Sequence, residues 1–189
     1  MFDVSLYGHI TLDNIIEKSK HDVGVGSIGN VWKTLNKIDP ELKINLQPTE
    51  FGEALILVDK DKSLRASTAN LSNFQTTPRM LDSRWHHILY LNELKNIDFI
   101  AKINSGVVSV DFCRGKKLKN LDVLKLVDFV LISDEDIFMD LADMSRIVKK
   151  GVLMHHKAGS VYYSKGRTIF ENQVNVIENV NVLGCGDMF

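Results

Sequence analysis

The spacing of apolar positions changes several times along the chain, and each change marks an element. Asp3 to Tyr7 reads as a short buried strand ending at Gly8, and a polar stretch holding Asp13 and Asn14 follows as far as His21. From Ile28 onward, Val31, Trp32, Leu35 and Ile38 recur at helical spacing on one face. Asp39-Pro40 stops that run, so a helix of about three turns is predicted. Lys43 to Leu46 and Ala54 to Val58 read as strands, and after the turn DKDKS the run Leu64 to Thr68 returns to close a hairpin. Beyond Pro78 the pattern alternates: HILYL, NIDFIAKI, VVSVDF, LDVLKLV, DFVLIS and IFMDLADMSRIV. Such alternation calls for parallel strands, right-handed crossovers and helices on the faces of the sheet, which predicts an α/β fold with a β appendage. Gly151 and Gly159 bracket VLMHH and SVYY as a further hairpin, and a strand near VNVIENV leads into the closing GCGD.

Composition narrows the function classes. The chain has 189 residues, 44% of them hydrophobic and 25% charged, with a formal net charge of -1. A chain of this length buries enough surface to fold without disulfides or structural metals. Near-neutral charge argues against a protein that coats nucleic acid or an anionic membrane, so neither is expected as a partner. Cys113 and Cys185 form no CxxC or zinc-type spacing, which suits a reduced chain. The amino terminus lacks the pattern of an export signal, and no run of about 18 apolar residues predicts a membrane helix. A cytoplasmic location is expected. No repeats, low-complexity tracts or linkers divide the chain, so residues 1–189 read as one domain.

Several short patterns carry possible chemistry. GVGSIG, with Gly24, Gly26 and Gly29, satisfies GxGxxG, but the dinucleotide fingerprint needs a hydrophobic strand directly before it, and here EKSKHDV stands instead. The glycines then make either a flexible turn before the helix or a close approach of main chain to a polyhydroxylated ligand, with Asn30 supplying donors and an acceptor. A dinucleotide-dependent oxidoreductase would require a strand running straight into Gly24, whereas a ligand-binding turn predicts a polar loop there.

Gly184-Cys185-Gly186-Asp187 is either an ordinary turn or a nest of backbone N-H groups that binds an anion such as phosphate. Asp187 is placed there to accept the proton of an attacking hydroxyl. Asp111 with Arg114, and Ser133 to Asp136, follow strands at carboxyl ends, where ligands gather in open α/β sheets. Capping and helix-dipole roles explain the same acids equally well. The pairs His86-His87 and His155-His156 point to opposite faces of a strand and cannot chelate one ion, and the cysteines read as small buried side chains.

Taken in order, these segments resemble the PfkB or ribokinase family of carbohydrate kinases over essentially the whole chain. Gly8 and Asp13 are similar to its first strand and sugar-contacting Asp, and VGSIGN to its Gly-Gly-x-x-x-Asn segment, with Val25 replacing the first glycine. The stretch from Thr49 through ALILVDKDKSLRAST resembles the β lid that covers the sugar, DFCR a shortened D-x-N-x-R, SDED the Asn-x-x-Glu segment, and NVLGCGDMF the D-T-x-G-A-G-D-x-F segment.

The resemblance implies a ribokinase-like three-layer α/β/α fold with a central mostly parallel sheet and lid segments around 10–25 and 45–75. It implies ATP and Mg2+ as cofactors and transfer of a phosphoryl group to a sugar or nucleoside hydroxyl. Asp187 would be the catalytic base, with Gly184, Cys185 and Gly186 as the anion hole. Asp13, Gly26, Ser27 and Asn30 would bind the substrate, Ser133 and Asp136 the cofactor, and Asp136 the metal. A homodimer through the lid is a further expectation. A ribokinase-like protein that binds a sugar or nucleoside without phosphorylating it is the alternative, because MHHKAG, SDED and Asn181-Val182 depart from the family's nucleotide-side residues. Family members continue for roughly another hundred residues, a large part of a typical domain. The resemblance therefore implies a chain that goes on past Phe189, and an inactive 189-residue form.

Overall fold

Two strands outrun all the others. β1 (Phe2–Glu17) and β3 (Ile44–Val58) have 16 and 15 residues, against a mean strand of about 5 to 6. The computed structural model describes residues 1–58, 64–113 and 116–175. The remaining strands are β2 (Lys20–Ser27), β4 (Leu64–Gln75), β5 (Ser83–Ile88), β6 (Val107–Val110), β7 (Phe129–Ser133), β8 (Gly151–His156), β9 (Gly159–Ser164) and β10 (Arg167–Gln173). All ten form one sheet in the order β10-β9-β8-β7-β6-β5-β1-β3-β4, with β2 added against β1. The stretch from β8 to β3 is parallel throughout. The four pairings β1-β2, β3-β4, β8-β9 and β9-β10 are antiparallel.

The long strands divide into two stretches of different character. Phe2 to Tyr7 of β1 pairs with β5 on one side and β3 on the other, inside the central sheet. From Ile10 onward β1 has left β5 behind and pairs with β2 and β3, so β2, β1, β3 and β4 project as a β lid. A register shift between Gly8 and His9 marks the transition.

Helices cover the central part from both sides. Leu6 faces α1 (Ile28–Ile38) and packs with Ile28, Val31 and Leu89. Tyr7 points the other way, into a larger core with Ile88, Val110, Val130, Phe99, Leu124 and Met144. Phe99 and Leu124 come from short 3-10 helices, Asp98–Lys102 and Leu121–Leu126, and Met144 from α2 (Leu141–Ile147). Alternate residues of one buried strand thus serve opposite layers. Among the described residues no helix is long and apolar enough to cross a membrane.

Sequence expectations meet this architecture unevenly. The helix Ile28–Ile38 and the parallel strands within VVSVDF and DFVLIS stand as read, whereas the strand expected at HILYL lies earlier, at Ser83–Ile88, and Leu89 to Leu91 form a turn after it. The first strand does not end at Gly8, however, and no polar loop precedes α1. β1 passes through Asp13 and Asn14, and β2 carries the chain through Gly24. A strand does run into Gly24, but it is an exposed antiparallel lid strand, not the buried parallel strand a dinucleotide site needs. Lys43–Leu46 and Ala54–Val58 belong to one strand. NIDFIAKI and LDVLKLV form only 3-10 turns, and Arg167–Gln173 adds a strand that no pattern announced. The turn DKDKS and most of VNVIENV lie outside the described residues.

Candidate active site

Asp13, Gly26 and Ser27 come together where the lid hairpin runs into α1. The β1-β2 register sets Thr11 opposite Gly26 and Asp13 opposite Gly24. The Thr11 hydroxyl donates to Asp13 Oδ1 at 2.6 Å and holds the carboxylate over β2. A Cβ on residue 26 would stand 2.5 and 2.6 Å from the two Asp13 carboxylate oxygens, with Thr11 Oγ1 closer still. Gly26 is therefore required by the carboxylate above it. Gly29 likewise leaves room for Val25, since a Cβ there would collide with that side chain. These contacts account for two of the three glycines of GVGSIG without any dinucleotide.

Ser27 sits at φ 53°, ψ -128° and is buried, yet its side chain makes no capping hydrogen bond to α1. Left-handed φ in a non-glycine residue costs on the order of 1–3 kcal/mol and collects at ligand sites. Asn30 follows in the first turn of α1, half-buried.

A second group gathers at the carboxyl ends of β7 and β8. The Ser133 hydroxyl donates to Asp136 Oδ2 at 2.6 Å, and the Asp136 N-H donates to the Ser133 carbonyl at 3.1 Å. Burial raises the Asp136 carboxyl above its ordinary value, opposed by the hydrogen bonds from Ser133. Burial also lowers the His155 imidazole, against the pull of Asp134 and Asp136. A cation placed beside Asp136 would relieve its desolvation. Among the described residues no three His, Cys, Asp or Glu side chains form a metal cluster. One carboxylate is nevertheless enough where substrate phosphates and water complete the shell of Mg2+.

Between the two groups lie β5, β6 and the segments that follow them, so β1 and β7 are three strand spacings apart, roughly 14 Å. This middle ground holds polar residues that no sequence motif marks. Asn92 accepts from the Cys113 N-H at 2.8 Å and donates to the carbonyls of Cys113 and Lys116, fixing the segment after β6. Glu93 pairs with Lys116, and its other oxygen lies 3.8 Å from His9 Nδ1. Glu50, on β3 opposite His9, is 2% exposed and lies 4.0 Å from Lys95 Nζ. Leu89, Tyr90 and Leu91 separate Asn92-Glu93 from the end of β5, so the carboxyl-end rule that selected Asp111 and Ser133 does not reach it.

The remaining singled-out residues are structural. Asp111 accepts from the Tyr90 N-H and supports a turn. His86 bonds to the Tyr7 hydroxyl at 3.0 Å on one face, and His87 to Ser109 at 2.8 Å on the other. Burial lowers the His87 imidazole to about 4. Burial and the neighbouring Glu93 push the Cys113 thiol up to about 12, which leaves it unreactive at neutral pH. Asp187, Gly184, Cys185, Gly186 and Arg114 lie outside the described residues.

A central parallel sheet continued into a β lid is an architecture with solved counterparts. Ribokinase from Thermotoga maritima superposes with a TM-score of 0.68 at 15% identity, over 99% of this chain and 82% of that one. Adenosine kinase from Sinorhizobium meliloti gives 0.68 at 11% identity, over 99% and 84%. A putative ribokinase II from E. coli, in complex with ATP and Mg2+, gives 0.64 at 15% identity, over 100% and 83%. No protein-family model matches the sequence, and no curated protein matches it. The chain has the ribokinase-like fold.

Proposed function

We propose that this protein is a carbohydrate kinase that uses ATP to phosphorylate a hydroxyl of a sugar or nucleoside. The observation that carries the reading is the junction of lid and α1, where Asp13 leans over Gly26 beside a strained Ser27. A carboxylate above bare backbone suits an alcohol, since it accepts from hydroxyls and the glycine admits them closely. Asn30 adds a donor and an acceptor on the same turn of helix. On the donor side Ser133 and Asp136 sit about three strands away, a separation that accommodates an acceptor alcohol at one end and phosphates at the other. Magnesium bound there with the phosphates would neutralise charge developing on the transferred group.

Asp187 takes the proton of the attacking hydroxyl, and the backbone of Gly184, Cys185 and Gly186 steadies the transferring group. The lid excludes water, which would otherwise compete as acceptor. A second reading, a binding protein without transfer, is favoured by one observation: the Asp136 carboxyl is desolvated and already engaged by Ser133. A panel of sugars and nucleosides with ATP separates the two. Asp187→Asn in the full-length protein should lower kcat by about a thousandfold while acceptor affinity holds. Equal loss of both removes Asp187 from the base role, and acceptor binding without phosphate transfer by the unmodified protein favours the binding protein.

The lid's other face bears Leu12, Val23, Val25, Phe51, Leu55 and Leu57, all substantially exposed, and the strand register aligns them on one side. Contiguous exposed apolar surface of this kind marks an association site. A second copy of the chain, in the cytoplasm, is the partner we assign to it.

A further inference from the structure

The chemistry nearest the lid's root is unused by this scheme. Where β3 leaves the central sheet, Thr49, Glu50, Gln75, Thr76 and Lys95 line a cavity of about 10 Å³. A larger one, about 30 Å³ beside Asp82 and Ser105, lies at the start of β5, at the opposite end of the strands. Glu50 is 2% exposed and Thr49 6%, yet Glu50 Oε2 and Thr49 Oγ1 are buried without a hydrogen-bond partner. Leaving such groups unmet is costly, the more so when the group is charged. A volume near 10 Å³ admits a single small polar group.

Register places this cavity relative to Asp13. His9 faces Glu50 and Asp13 faces Ala54, so all four share one face of the lid strands. Four residues of strand separate the two anchors on β1, about 13 Å. The row between them is Gly26, Thr11 and Gly52 across β2, β1 and β3, with no side chain larger than threonine.

We propose that Glu50 and Thr49 form a subsite for one hydroxyl at the far end of the acceptor, and that the acceptor is a two-ring molecule, a nucleoside or a disaccharide. The inference rests on Asp13 as the acceptor anchor. A single sugar ring is too short to meet both anchors. Lys95, already 4.0 Å from Glu50 Oε1, supplies the balancing positive charge, so the missing partner is a neutral donor and not a cation.

Calorimetric titration of the full-length protein without nucleotide, using adenosine, maltose and D-ribose, tests this. Adenosine or maltose should bind at least about tenfold more tightly than ribose. Glu50→Gln and Thr49→Val should each weaken that ligand by about tenfold and leave ribose unchanged. Should Glu50→Gln fail to fold, Thr49→Val and Lys95→Met carry the comparison. Equal affinity for ribose, a preference indifferent to these substitutions, or no binding by any of the three overturns the subsite. Phosphate transfer from ATP is assayed in parallel. Binding with the expected preference but no transfer upholds the subsite and overturns the kinase, and transfer indifferent to residue 50 does the reverse.

Discussion

The inner and outer stretches of β1 are one continuous strand with opposite duties. Ser5, Leu6 and Tyr7 are at most 1% exposed, and helices cover them on both sides. Five residues on, Leu12 is 46% exposed on one face while Thr11 and Asp13 reach over Gly26 on the other. Burial therefore holds the inner stretch, and cross-strand register holds the outer one. Under the proposed function, stability and ligand recognition are then separable along a single strand.

The largest test compares two leucines on the same face of β1. Leu6→Ala should cost about 2–5 kcal/mol in chemical denaturation, as deletion of a fully buried side chain does. Leu12→Ala should cost under about 1 kcal/mol and act instead on self-association, read by sedimentation velocity. Similar losses at both would erase the distinction.

Next in size is a pH effect confined to the central sheet. The His87 imidazole titrates at about 4 in the folded chain and at 6.5 when exposed. Between those values the unfolded state binds a proton that the folded state refuses, so stability falls as pH drops from about 6.5 to about 4. The loss is about 3 kcal/mol. Denaturation midpoints measured across that window should slope accordingly, and His87→Gln should flatten the slope.

Smallest in free energy, though confined to the lid, is Gly26→Ala. The added methyl must displace Asp13, so acceptor affinity should fall about tenfold or more, while the melting temperature moves by only a few degrees. A large drop in melting temperature with unchanged affinity would assign Gly26 to folding.

The sequence revealed those features whose cause is local. α1 was readable because Ile28, Val31 and Leu35 repeat at helical spacing and Asp39-Pro40 stops them. Ser133 and Asp136 were readable because three residues bring them into one turn. The lid was harder. Asp13-Asn14 and Gly24-Val25-Gly26 are turn-forming residues by composition, and only pairing with β3 and with each other keeps them extended. Glu50 and Glu93 escaped notice for a related reason, since each gains its neighbours, Lys95 and His9, from segments far away in the chain.

The shift in pairing at Gly8 and His9 has a mechanical result. Bulged strands bend and twist more sharply at the bulge, and here both floor and cover of the cleft belong to the same two ribbons. The cover thus has no hinge peptide of its own. Any opening has to flex β1 and β3 at their root, so a ligand seated beneath it should change amide protection in the central strands alongside.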